Sequence, residues 1–279
     1  MPDTAMRREA ASPFGEWDQA VDALMTYRYL ASTPRLIDRS HAEGTLPLRP
    51  DLRTPAGAVF GAPVAIAMLD VAGINIDRLW ILALTQIDIN MLASATSAQA
   101  LYFEGRIVSE ARSQIFTEAR IYDADNRETP IGFGTANWSV ICPTPDGFSY
   151  PEPGAGTEGM AEVPPLWQAF GGRRRDDDRL EIPGLRPEIG TQRLHHGPML
   201  VVTEATALEA AAHALGTDQL IVEHVSTTIV APGRIGPFVA APVFLAVQEE
   251  AAGCRVELRD AGREDRLVAT TFVRMRVCR

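Results

Sequence analysis

Two carboxylates stand at matching places in this chain. Asp70 lies nine positions after Gly61, which opens the triplet Gly61-Ala62-Pro63, and Glu204 lies nine positions after His195, which opens His195-His196-Gly197. Each acid closes an apolar run; around Asp70 stand Ala65, Ile66, Ala67, Met68, Leu69, Val71 and Ala72. A carboxylate in such surroundings either protonates or finds hydrogen-bond partners, and a raised pKa suits a general base working near neutral pH. The segment 57–62 enters a helix, so the backbone N–H groups at Gly61 and Ala62 are placed to receive developing negative charge. The plainer alternatives are an Asp bonded to local backbone and an ordinary helix-entry turn. Thr85 lies on the next strand with Gln86 and Asp88 beside it, and a plain strand Thr is the simpler reading. His195 or His196 would stand beside Glu204 in a second site, unless the second half serves only to complete the fold. His213 and His224 read as structural, and His41 carries no signal.

These residues need elements to hold them. Apolar spacing predicts a leading helix over 15–31, a first strand over 45–53 interrupted by Pro50, and a turn at 54–57. A helix from Gly61 with Gly73 at its C-terminus follows. Four strands come next, over 79–92, 101–108, 114–122 and 131–141, with a hairpin turn at 123–127. The second half runs in the same order: a helix over 198–215, then strands over 219–230, 238–249, 253–258 and 267–277, with a turn at 259–266. The repeat, about 134 residues long, far exceeds the roughly 20–50 residues of a solenoid unit, so it reads as domain duplication. The expected organisation is a first domain over 1–142, a Pro- and Gly-rich linker over 143–189, and a second domain over 190–279. The run Arg-Arg-Arg-Asp-Asp-Asp at 173–178 reads as a solvated segment that pairs with itself.

Composition excludes several classes of function. A net charge of −10 argues against nucleic acid and anionic membranes as partners. The N-terminus has no apolar core of a secretory signal, and no apolar stretch approaches the roughly 18 residues that span a bilayer. Cys142, Cys254 and Cys278 are too few and too scattered for a disulfide framework or a zinc site, which suggests a reducing cytoplasm. The chain has no Lys, a sign of a GC-rich bacterial genome that also removes Schiff-base chemistry. It has no Gly-rich phosphate loop, nucleophile elbow or metal-ligand spacing.

The stretch from Gly57 through Gly61-Ala62-Pro63 to Asp70, the run Thr-Gln-Ile-Asp-Ile-Asn-Met-Leu-Ala-Ser-Ala at 85–95, and Phe103-Glu-Gly-Arg-Ile-Val at 103–108 resemble the PaaI-like acyl-CoA thioesterases. Two such units in one chain resemble the double-hotdog thioesterases. The resemblance implies an α+β tandem hotdog, each half an antiparallel sheet wrapped around a central helix. It implies hydrolysis of an acyl-CoA thioester, with Asp70 as base or nucleophile, N–H groups at Gly61 and Ala62 as oxyanion donors, and Thr85, Glu204 and His195 as further site residues. CoA would enter as part of the substrate and no separate cofactor is implied; a homo-oligomer of such chains is allowed. Arg106, Arg112 and Arg120 are available for CoA phosphates. The chain departs from the family where Gly61-Ala62-Pro63 replaces a His-Gly-Gly triplet, and where Thr54 and Pro55 stand in place of an Asn. Two rival readings are a hotdog enoyl-thioester hydratase or dehydratase, on the His195–Glu209 spacing of fourteen, and a non-catalytic acyl-CoA-binding protein.

Overall fold

The computed structural model describes residues 23–77, 80–144, 156–158, 160 and 162–278. Part of the leading helix expected over 15–31 lies outside the described residues; within them α1 spans Met25–Arg28. β1 (Arg35–Leu36) and β2 (His41–Pro47) follow, then a single 3-10 turn at Pro50–Leu52. The first strand therefore ends before Pro50, which has no N–H to give a ladder.

The first long helix, α2, spans Gly61–Asp77. It runs through Gly73 instead of stopping there: residues 71–74 are all buried, and packing outweighs the helix cost of about 1 kcal/mol for glycine. β3 (Trp80–Met91), β4 (Ala100–Glu110), β5 (Gln114–Asp123) and β6 (Gly132–Pro143) complete the first half. The segment 143–189, expected as a linker, carries α3 (Leu166–Ala169), β7 (Arg173–Arg174) and β8 (Leu180–Ile182). Its charge run pairs with itself at Arg174–Asp178 and Arg175–Asp177, but each of its arginines also reaches an acid outside the run: Glu181, buried on β8, takes both Arg173 and Arg175, and Arg174 reaches Glu209. α4 (His196–Leu215) ends on Gly216, which adopts the left-handed φ of 71° that glycine tolerates best. β9 (Leu220–Ile229), β10 (Phe238–Gln248), β11 (Ala251–Asp260) and β12 (Arg266–Val277) close the chain.

All twelve strands form one antiparallel sheet in the order β1-β2-β4-β5-β6-β3-β9-β12-β11-β10-β8-β7. Read outwards from the middle, the order of one half copies the other. The seam is the β3–β9 pairing, from Gln86 opposite Thr228 to Asn90 opposite His224, centred on Asp88 opposite Ser226. Strand alternation sorts the seam into two faces. Ile87, Ile89, Val225 and Thr227 are buried. Asp88, Asn90 and His224 lie on the other face, where the His224 ring bonds Asp88 at 2.8 Å across the seam and Asn90 donates to the same carboxylate. Both long helices pack on the sheet and on each other, each over its own apolar cluster.

Candidate functional site

The first turn of α2 has few donors to offer. Pro63 has no N–H, which leaves Gly61 and Ala62 as the leading orphan donors. Both are taken by one side chain from the other half. Glu204 on α4 accepts from the Gly61 N–H through Oε1 at 2.6 Å and from the Ala62 N–H through Oε2 at 2.8 Å. This carboxylate is only 2% exposed. Burial pushes its pKa up to about 7, against the two N–H groups that pull it down. The approach leaves no room for a side chain at position 61. A Cβ there would stand 2.4 Å from Val225 Cγ2 and 3.0 Å from Glu204 Oε1.

Asp70 takes no part in this contact. Nine residues along α2 from Gly61, it is displaced by about 13 Å along the helix axis, so it cannot use the donors at its own helix start. Its carboxylate, also buried, accepts a hydrogen bond from the Ser32 hydroxyl at 2.7 Å. The structure thus separates Asp70 from the Gly61–Ala62 donors with which the sequence groups it.

Nor are the two acids equivalent by position. The helices begin at Gly61 and His196, which puts Pro63 and Pro198 both in third place. A second match agrees. Thr203 on α4 bonds Thr271 at 2.8 Å, and Thr271 bonds Thr227 at 2.9 Å. In the first half a Cβ on Gly134 would meet both Met68 Sδ and Ile89 Cδ1. Gly134 pairs with Ile89 as Thr271 pairs with Thr227. Thr203 therefore corresponds to Met68, Glu204 to Leu69, and Asp70 to Ala205. Aligning acid with acid is wrong by one residue, and one residue is about 100° around a helix. The place equivalent to Glu204 holds a leucine.

The three threonines form a directed chain. Thr203 donates to the helix carbonyls of Met199 and Leu200, so Thr271 must donate to Thr203, and Thr227 to Thr271. All three are fully buried. They tie α4 to β9 and β12 beside Glu204 and so set its direction. The sequence reading missed them; the one available signal was Thr227 and Thr271 falling on the buried alternation of their strands.

The remaining candidates are placed as follows. Thr85 sits at a bulge in β3 and donates to the Asn137 carbonyl at 2.9 Å. His195 caps α4 with extended backbone and its Nδ1 meets Thr26 Oγ1 at 2.8 Å. Burial, with His196 and Arg193 nearby, holds its pKa well below the ordinary histidine value; His196 is pushed down to about 3 by burial and Arg193. Both rings are therefore neutral at physiological pH. A Cβ on Gly197 would lie 2.3 Å from Thr26 Oγ1, so residues around Thr26 cover the start of α4. His195 and Glu209 do not meet: fourteen residues of helix separate them by about 20 Å, and Glu209 pairs with Arg174. Of the arginines considered for phosphates, Arg106 is engaged by Glu118 at 2.8 Å. Among the described residues no group of three His, Cys, Asp or Glu side chains is placed to hold a metal. No described helix is long and apolar enough to cross a membrane.

A groove of about 480 Å³ is lined by Ser94, Thr96, Ile221, Glu249, Arg276 and Cys278 among others, with neither Glu204 nor Gly61 in its wall. The Val59 N–H donates to the Ser94 carbonyl, which ties the groove wall to the segment that enters Gly61.

No family model matches the sequence, and no curated protein matches it. Solved structures do resemble the fold. The TesB protein of Mycobacterium avium subsp. paratuberculosis aligns over 88% of this chain and 96% of its own, at 15% identity and a TM-score of 0.58. A protein of unknown function with a hot dog fold from Alicyclobacillus acidocaldarius aligns over 93% and 98%, at 14% identity and 0.55. The acyl-CoA thioesterase II TesB2 of Mycobacterium marinum aligns over 88% and 96%, at 10% identity and 0.54. At these identities the likeness establishes an α+β hotdog fold, built here on a single antiparallel sheet.

Proposed function

We propose that this chain is a thioesterase that hydrolyses an acyl-CoA, with Glu204 as its general base. One observation carries the reading: a buried carboxylate whose pKa is raised to about 7 faces two N–H donors of the opposite helix. Such a pair supplies both things acyl transfer needs, a base near neutral pH and a place for an oxyanion. The solved hotdog thioesterases support the substrate class by likeness of fold alone. The same reading makes the chain a tandem of two hotdog units, 1–142 and 190–279, joined by 143–189.

In this mechanism the thioester reaches the Gly61 and Ala62 donors that Glu204 covers. Its carbonyl oxygen takes an N–H of Gly61 or Ala62, and Glu204 gives up that bond. The freed carboxylate oxygen accepts a proton from water as the water oxygen attacks the carbonyl carbon. Charge on the tetrahedral oxyanion rests on the backbone donors. Collapse breaks the carbon–sulfur bond, Glu204 returns its proton to the departing thiolate, and the acid and free thiol leave. No bond to the protein forms. Asp70, held by Ser32, stays outside the reaction.

The test is hydrolysis of a panel of acyl-CoAs by Glu204→Gln and Asp70→Asn proteins. Glu204→Gln is expected to lose about 10²–10⁴-fold in kcat, the usual worth of a general base, while Asp70→Asn keeps activity within a few-fold. Activity lost in Asp70→Asn and kept in Glu204→Gln would reverse the assignment. If the wild type turns over nothing on the panel yet is thermally stabilised by CoA esters, the protein binds acyl-CoA without catalysis.

A further inference from the structure

The outer half of β10 departs from the corresponding strand of the first half. In the first half, β4 has its outer edge covered by β2 along seven pairs, from Pro47 opposite Ala100 to His41 opposite Arg106. In the second half, β10 holds the corresponding place, yet β8 pairs only with Phe238 and Val239. Among the described residues nothing pairs with that edge from Ala240 to Gln248. A free edge is a template for another strand, and proteins usually blunt it with charge, proline or a bulge. Here Pro242 and the bulge at Val243 stand at one end only. Beyond them the strip Val243, Phe244, Leu245, Ala246, Val247 carries no charge.

The strip is apolar on both faces. Val243 is 50% exposed, Phe244 54%, Leu245 39% and Val247 43%. Leu245 and Val247 share their face with Cys254 and Ala252, their buried partners on β11, while Phe244 and Ala246 point to the other side. Strand pairing would cover both faces at once, which a ligand lying on one face would not.

We propose that this edge is a homodimer interface, in which residues 243–247 of one chain pair antiparallel with the same residues of a second copy. The order of side chains favours the second copy over a foreign strand. Antiparallel pairing about Leu245 sets Val243 against Val247, and the large Phe244 against the small Ala246. It also sets Glu249 against Ala241 and Gln248 against Pro242, so no like charges meet although each chain carries a net −10. The length fits as well. The seam that joins the two halves is an antiparallel edge pairing over five residue pairs, the same extent. Isologous closure about a two-fold axis uses up the edge on both chains and stops at two. The inference is independent of the reaction.

Sedimentation equilibrium of the full chain, across a wide concentration range, tests it beside Leu245→Lys and Phe244→Glu. The wild type is expected to weigh two chains, and each variant one, with unchanged far-ultraviolet circular dichroism. Hydrogen exchange of the wild type should show those alternate amides of 243–248 that face away from β11 slow in concentrated samples and fast on dilution, a reading that survives if a variant misfolds. A wild type that weighs one chain throughout, or those same amides unprotected in a sample that weighs two, overturns the proposal. A dimer that persists in both charged variants does the same.

Discussion

The contact between Glu204 and the start of α2 makes unusual demands on single residues. Gly61 is required by space: a methyl group there would press on Val225 and on the carboxylate itself. Gly61→Ala is expected to destabilise the protein by about 1–3 kcal/mol, the usual cost of overpacking, and to lower kcat/KM at least tenfold; urea melts and steady-state rates check both. Glu204 also predicts an inverted pH profile. Its pKa rises from about 4.5 to about 7 on folding. Between those values the native state therefore holds more proton than the unfolded chain, and stability falls as pH rises until it levels off above about 7. A shift of that size is worth roughly 3 kcal/mol. Urea unfolding of the wild type at pH 5 and pH 8 should differ in that direction, and the difference should shrink in Glu204→Gln. An equal pH dependence in both proteins would show that the carboxylate is not the source. The sequence made both acids legible as buried groups with chemical promise. It could not show which donors each would meet, because Gly61 and Glu204 are 143 residues apart and meet only through the fold.

At the scale of the element, the repeat was easy to see and its register was not. Apolar periodicity placed all eight long strands and both long helices to within a few residues, since all but the outer half of β10 bury a stripe or face. It set the wrong phase between the helices because it matched charge with charge. What fixes the phase is packing: Thr203, Thr227 and Thr271 in one half occupy the places of Met68, Ile89 and Gly134 in the other. Thr271→Val should leave the Thr227 hydroxyl without an acceptor and cost about 1–3 kcal/mol, read by urea melts. Copying the first half entirely, with Thr203→Met, Thr227→Ile and Thr271→Gly together, should cost less than the sum of the three single changes. Strict additivity would mean that the two trios are not equivalent. The short strands β7 and β8 escaped notice for another reason: Leu180–Ile182 is too brief for any period, and it is a strand because it lies between β10 and β7.

For the whole molecule, the α+β class and two halves of like order followed from order and spacing, whereas the joining of the halves into one sheet came only from the resemblance to the double-hotdog thioesterases. Nothing in β3 or β9 announces that they pair. The His224–Asp88 contact that marks the seam joins two residues 136 positions apart, and no local pattern predicts it. The seam has a consequence through the contact that bridges it. Glu204 belongs to one half and its two donors to the other, so its carboxylate fastens the halves and, in the proposed reaction, is the base as well. Whatever displaces it to reach those donors also unclips the halves at that point. Occupancy and cohesion are thereby linked: an occupant must replace the grip it removes, and one that touches only a single half leaves the pair looser than before.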